Sequence, residues 1–208
     1  MFVSEIQSRV QNIFGDTAGA QLTPEMILDW INDGQTDICR KAECLEDIWT
    51  GTTVAADSSL ARPTNFIREL WIRLEGITLR RQTAQSINVL YPEAESNTTT
   101  GKPLYYYHFS NAINFYPVPD SAYGISMAYI RNAVKLTGSS QTPEIPEIYH
   151  EDLVQYCLWR ALQQDEQWGA AQQARQDYDT RLLQTIYDAK TVDAETYPSV
   201  RSIAGDTW

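Results

Sequence analysis

Two histidines, three cysteines and a few close-set carboxylates are the side chains in this 208-residue sequence that could carry chemistry. His108 and His150 stand far apart, and no carboxylate-His-Cys pattern with metal-ligand spacing accompanies either. They read as structural or surface histidines. Cys39, Cys44 and Cys157 also lack ligand spacing, and an odd count without a secretory leader argues for buried, reduced thiols. Cys157 shares a helical face with Leu153, Val154, Leu158 and Ala161, the setting of a packed core thiol. Glu43 with Glu46-Asp47, and Asp177 with Asp179, fall on amphipathic stretches and read as solvated faces rather than general acid–base pairs. Glu93 and Glu95 occupy a polar loop where a glycosidase pair could sit, but nothing else in the sequence suggests a sugar cleft. Neither a Gly-x-Ser-x-Gly elbow nor a phosphate-cradling glycine loop occurs. The reading is a non-enzyme with no catalytic residue, no metal and no cofactor.

Charge narrows the class further. Sixteen basic against 27 acidic side chains give a formal net charge of −11. A protein that grips a nucleic-acid backbone usually shows a basic stripe, and the pair Arg80-Arg81, read as solvated surface, does not make one. Strong acidity repels DNA, which is itself useful if DNA must slide past without sticking. No apolar run approaches the ~20 residues of a membrane span, and the first residues lack the basic and apolar regions of a secretory signal. The cytosol is the expected compartment until the chain joins something larger.

The elements that would position these residues are legible from periodicity. A first helix is expected from about Ser4 to Phe14, with Ile6, Val10, Ile13 and Phe14 on its stripe and Gly15 ending it. Thr23 can cap a second helix, with Pro24 at its first position and Glu25 complementing the dipole. Its stripe is Ile27, Trp30, Ile31 and Ile38, and Gly34 inside it points to close approach of a neighbour. Thr50–Val54 reads as a strand. Residues 66–74 alternate with Leu70, Ile72 and Leu74 on one face and Trp71 and Arg73 on the other, and Glu75-Gly76 reads as a hairpin turn. A short helix is expected within 82–91, a third helix after Ile145-Pro146-Glu147, and a fourth from about Asp165 to Asp188. The fourth carries Trp168, Ala171, Tyr178, Leu182 and Ile186 on one side.

Between the helices lies an aromatic block, Gly101–His108, Ile113–Asp120 and Ile125–Ile130, which reads as consecutive antiparallel strands joined by tight turns. Alternation puts Tyr105 and Tyr107 on one face and Tyr106 on the other. The fold class is mainly α with an inserted small antiparallel β-sheet (α+β): about a four-helix bundle (1–49 and 144–190), a β-rich domain (50–143) and an extended C-terminal arm (191–208). Tyr197, Val200, Ile203 and Trp208 are apolar anchors along that arm. Twelve Tyr and six Trp fit the aromatic enrichment of protein interfaces.

The order of these pieces resembles the head-to-tail adaptor (connector) proteins of tailed bacteriophages, over about residues 1 to 190. The resemblance rests on the N-terminal helix, Leu28-Asp29-Trp30-Ile31-Asn32-Asp33-Gly34-Gln35 and Arg62-Pro63-Thr64-Asn65-Phe66-Ile67-Arg68. It continues through Gly101-Lys102-Pro103 with its Tyr run, Phe115-Tyr116-Pro117-Val118-Pro119-Asp120, and Ile145-Pro146-Glu147-Ile148-Tyr149-His150. The chain departs from the family pattern at Arg62-Pro63, where a Leu-Pro pair is usual; the proline turn stays intact while the local packing changes. The resemblance implies a structural subunit of the virion neck: a homo-oligomer, a ring of twelve under the portal, joining capsid to tail and passing double-stranded DNA. It implies that the arm (Tyr197, Val200, Ile203, Trp208) reaches the portal protein. A downstream tail or nozzle protein would meet the other side, with Tyr105, Tyr107 and Tyr116 as candidate tail-side or inter-subunit contacts. Other readings are another tail-completion or tail-tube subunit, a glycan-cleaving enzyme using Glu93 or Glu95 as acid, and a carbohydrate- or peptide-binding module on the Tyr-rich sheet.

Overall fold

A computed structural model describes residues 1–92 and 99–196. Five α-helices are found among them: α1 Val3–Phe14, α2 Pro24–Ala42, α3 Ala84–Leu90, α4 His150–Gln164 and α5 Trp168–Thr196. The strands are β1 Glu46–Thr52, β2 Ser59–Ala61, β3 Phe66–Leu74, β4 Ile77–Thr78, β5 Arg80–Arg81, β6 Thr100–Gly101, β7 Tyr105–Phe109, β8 Ala112–Tyr116, β9 Val118–Pro119 and β10 Gly124–Arg131. The class is α+β. The chain divides into a helical unit, Met1–Ile38 with the segment from Lys135 onward, and a β unit, Cys39–Val134.

Local signals start and stop the helices of the first unit. Gly15 takes φ +92, and its N–H returns to the Gln11 carbonyl, which closes α1 at a conformation that glycine adopts without penalty. Thr23 Oγ1 accepts from the Met26 N–H and Pro24 opens α2. A 3₁₀ turn, Glu147–Tyr149, leads into α4. α4 and α5 pack as a hairpin; Leu153, Val154, Cys157 and Ala161 of α4, with Ala171, Ala174, Tyr178 and Leu182 of α5, are buried. Gly34 meets this layer: a Cβ placed there would lie 3.0 Å from Leu153 Cδ2 and 3.1 Å from Tyr156 Cδ1, so α2 approaches α4 through a bare Cα. The expected stripe of the last helix holds except at its start, because Trp168, in the first turn, is exposed. α5 also runs eight residues past the expected end at Asp188, so 191–196 are helix rather than extended arm. The rest of that expected arm, including Tyr197, Val200, Ile203 and Trp208, lies outside the described residues.

The β unit holds two four-stranded sheets, ordered β1-β10-β3-β4 and β2-β8-β7-β5, and the pair β6-β9. Ile72, Leu74, Ile125, Met127 and Tyr129 of the first sheet form one buried core with Tyr106, Ile113 and Phe115 of the second, and Leu79 joins them. β7 and β8 are the expected hairpin, and Glu75-Gly76, at φ 49 and 83, is the expected turn between β3 and β4. β1 begins at Glu46, four residues before the expected strand. β10 does not continue the meander: it leaves β8 and pairs with β1 and β3 in the opposite sheet.

β3 corrects the expected alternation. Its register against β10 slips between Ala128 and Tyr129, so that Trp71 faces Ala128 while Glu69 faces Tyr129. The bulge moves Leu70 out to 40 % exposure and turns Glu69 inward, while Ile72 and Leu74 keep the core face. α3 is capped by Thr83, whose side chain accepts from the Ser86 N–H, and ends before Pro92 as expected.

Candidate functional site

The inward turn of Glu69 builds a polar cluster inside the β unit. Its carboxylate is 5 % exposed; Oε1 lies 2.9 Å from Arg81 Nη1 and Oε2 lies 3.0 Å from His108 Nε2. β3 of one sheet thereby meets β5 and β7 of the other through charge as well as packing. The Tyr106 hydroxyl also reaches the Glu69 carboxylate, and burial together with that negative charge pushes its pKa up to about 12. Burial alone would raise the Glu69 pKa, but the His108 hydrogen bond and the His108 and Arg81 charges outweigh it, leaving the carboxyl below its ordinary range. Arg81 is largely exposed, as the sequence suggested, and in addition pairs with the buried Glu69 carboxylate. His108 is structural, its ring 5.8 Å from Phe66 and 6.0 Å from Tyr106.

Tyr105, Tyr107 and Tyr116 share the other face of β7 and β8. Tyr105 pairs directly with Tyr116, and Tyr116 is buried at 4 % against Ile87 of α3. The Tyr91 ring lies 4.6 Å from Tyr116 and 6.1 Å from Tyr105. So α3 roofs this face: Tyr116 is committed to packing, and Tyr105 and Tyr107 remain half-buried at its margin. Tyr106 points the opposite way, into the core between the sheets. Leu104 and Ile77, about 60 % exposed, are among the apolar side chains that stand out, and they line a groove of about 470 Å³ with Leu74, Leu79 and Tyr105.

His150 sits in the helical unit. Its Nε2 is 3.0 Å from the Ile145 carbonyl and its Nδ1 is 2.8 Å from the Met1 amine, so the ring donates at Nε2 and accepts at Nδ1. Burial, aided by the adjacent amine, lowers its pKa. Asp152 is fully buried, and burial raises its pKa although Arg181 Nε donates to Oδ1 at 2.9 Å. Cys39 and Cys157 are buried and Cys44 is half-buried. Among the described residues no group of three His, Cys, Asp or Glu side chains is arranged to hold a metal ion. Glu93 and Glu95, the possible glycosidase pair, lie outside those residues. No described helix is long and apolar enough to cross a membrane.

Sequence reasoning missed the Glu69 cluster because a single bulge reverses the facing of half a strand. No signal within residues 66–74 could have found it, because the bulge exists only in the pairing with β10. It also missed the distribution of charge. The β unit holds nine basic and nine acidic side chains; the helical unit holds seven basic and eighteen acidic, so the whole −11 resides there.

The helical unit thus carries all of the net charge and the β unit inserted in its sequence is neutral. Comparison places the chain among the phage adaptor proteins. A family model described as SU10 adaptor protein matches residues 1–202, and the chain belongs to that family. The family is a structural one, not a family of enzymes. No curated protein matches the chain.

Proposed function

We propose that this adaptor forms a ring, of twelve subunits, seated under the portal in the neck of the virion. It joins capsid to tail and lets double-stranded DNA pass without adhering. Confinement of the net charge to one unit supports this reading most directly. A subunit whose helical unit carries −11 and whose β unit is neutral can offer DNA a repelling wall while keeping a neutral surface for protein contacts. The segment after α5, with Tyr197, Val200, Ile203 and Trp208, is assigned to the portal protein. Tyr105 and Tyr107 at the margin of α3 are assigned to the downstream tail protein or the neighbouring subunit. Tyr116 takes part in such contact only if α3 and Tyr91 move off it.

Co-sedimentation of the purified chain with portal rings, followed by imaging of the complex, tests the reading. Expected is a collar of subunits on one portal face, lost when the chain is truncated before Thr191. Equal attachment by the truncated chain would remove the arm from the interface, and no attachment by the full chain would remove the portal.

A further inference from the structure

The first sheet of the β unit ends in a strand whose outer side is open. β1 pairs with β10 along all seven of its residues with no shift of register, and in the order β1-β10-β3-β4 no strand lies beyond it. The bonds that bracket β1 fix which way its backbone faces. The Leu45 carbonyl accepts from the Arg131 N–H at 2.9 Å, and the Thr53 N–H donates to the Tyr123 carbonyl at 3.0 Å. With a period of two, the odd residues between them bond to β10, while Glu46, Ile48, Thr50 and Thr52 turn their N–H and C=O outward. The Ile48 N–H agrees with this parity, donating at 2.8 Å to the Asp47 carboxylate instead of to β10. The Ile48 carbonyl and both backbone groups of Thr50 and Thr52 are left open along the edge.

Sheet edges are normally blunted by lysine, proline, a bulge or brevity. β1 has none of these. Its even side chains are Ile48, 64 % exposed, then Thr50 and Thr52, with Val54 exposed just beyond: a β-branched row suited to a neighbouring strand. On the opposite face Trp49 packs on the core of the β unit and its ring crosses Gly51, which fixes the strand before anything docks. Among the described residues the other free edges of the two four-stranded sheets are β2, β4 and β5, of three, two and two residues. A second copy therefore matches β1 in length only with its own β1, about a two-fold axis that closes at two chains and builds no ring.

We propose that the open edge of β1 takes up an extended segment of the downstream tail protein as an added strand. The segment exchanges main-chain hydrogen bonds with Thr50 and Thr52 and lays β-branched or apolar side chains, at alternate positions, beside Ile48, Thr50 and Thr52. A lysine or arginine of the segment meets Glu46. That carboxylate is exposed and has no basic partner among the described residues, whereas its neighbour Asp47 lies 3.6 Å from Arg131 Nε. The inference rests on the adaptor reading above, which gives the arm to the portal and leaves the neutral β unit for the tail side.

Hydrogen exchange in peptides spanning β1 tests this on the full chain in three states: alone at rising concentration, assembled on purified portal rings, and on those rings with purified tail protein added. Expected is slowing of the Thr50 and Thr52 amides by about tenfold or more in the third state only. Thr50→Pro deletes an outward N–H and none of the bonds to β10, so the fold and the collar on the portal persist while affinity for the tail protein falls roughly tenfold. Thr50→Val keeps the N–H and is expected to bind as the native chain does. Slowing with concentration alone would give the edge to a second copy, and slowing on the portal alone to the portal or a neighbouring subunit; either overturns the proposal. Tail protein that binds without slowing these amides, or binds Thr50→Pro equally well, overturns it and leaves the adaptor reading standing. Absence of both the collar and tail binding removes the two together.

Discussion

Gly34 shows how one absent atom sets the spacing of two helices. Alanine there would gain the ~1 kcal/mol by which it exceeds glycine in helix interiors. Its Cβ would press on Leu153, which is fully buried, and on Tyr156, whose ring is held edge-on to Tyr178 at 5.4 Å and to Trp159 at 5.2 Å. Neither can withdraw, and overpacking of this kind costs about 1–3 kcal/mol. Gly34→Ala is therefore expected to lose about 1 kcal/mol net in urea unfolding; a gain would show that α4 yields. Glu69 and His150 are the buried groups whose shifts weaken the fold on acidification, whereas Asp152, shifted upward by burial, acts in the opposite sense. The unfolded chain keeps Glu69 near 4.5 and the fold lowers it, so stability from its ionised form is full above 4.5 and drains as pH falls through the folded value. His150 is also lowered, from 6.5: below 6.5 the unfolded chain takes up a proton that the folded chain refuses, and stability falls with pH. Unfolding midpoints across pH 3–8 are expected to show both losses. Glu69→Gln should remove the lower loss at a cost of about 1–3 kcal/mol at neutral pH, and His150→Gln the upper.

At the level of elements, helix ends and turns were readable because each depends on residues within a few positions. Gly15, Thr23-Pro24 and Glu75-Gly76 act locally and stand where expected. What needed a partner was not readable. The bulge in β3 exists only against β10, so nothing in residues 66–74 marks Leu70 as outward and Glu69 as inward. Likewise the Ile125–Ile130 stretch reads as the next strand of a meander, and only the pairing with β1 and β3 sends it to the other sheet. The candidate contacts fared similarly: the split between Tyr106 and its neighbours follows from the two-residue period, whereas the roof of α3 over Tyr116 does not. A strong polar contact joins α2 and α5, the Tyr178 hydroxyl donating to Asp37 Oδ2 at 2.6 Å. Tyr178→Phe keeps the ring and deletes the donor to a charged acceptor, with an expected loss of about 1–2 kcal/mol in thermal or urea unfolding. An unchanged midpoint would mean that water replaces the hydroxyl without penalty.

For the molecule as a whole, the uneven charge has a thermodynamic signature. Eighteen acids against seven bases repel one another within the helical unit, while the β unit balances nine against nine. Salt shortens the reach of that repulsion from about 10 Å at 0.1 M to about 3 Å at 1 M. Amides of α4 and α5 are therefore expected to exchange hydrogen more slowly as sodium chloride rises over this range, with those of β3 and β10 little affected. Equal slowing in both would point to a general salting effect instead.

β1 and β10 lie side by side, Glu46 against Ile130, so the strand that begins the insertion and the strand that ends it are hydrogen-bonded neighbours. The two ends of the insertion are thus held together within the β unit itself, so a single protease cut in either connecting segment leaves β1 hydrogen-bonded to β10, and a relative could exchange the whole insertion by a graft at one place rather than two.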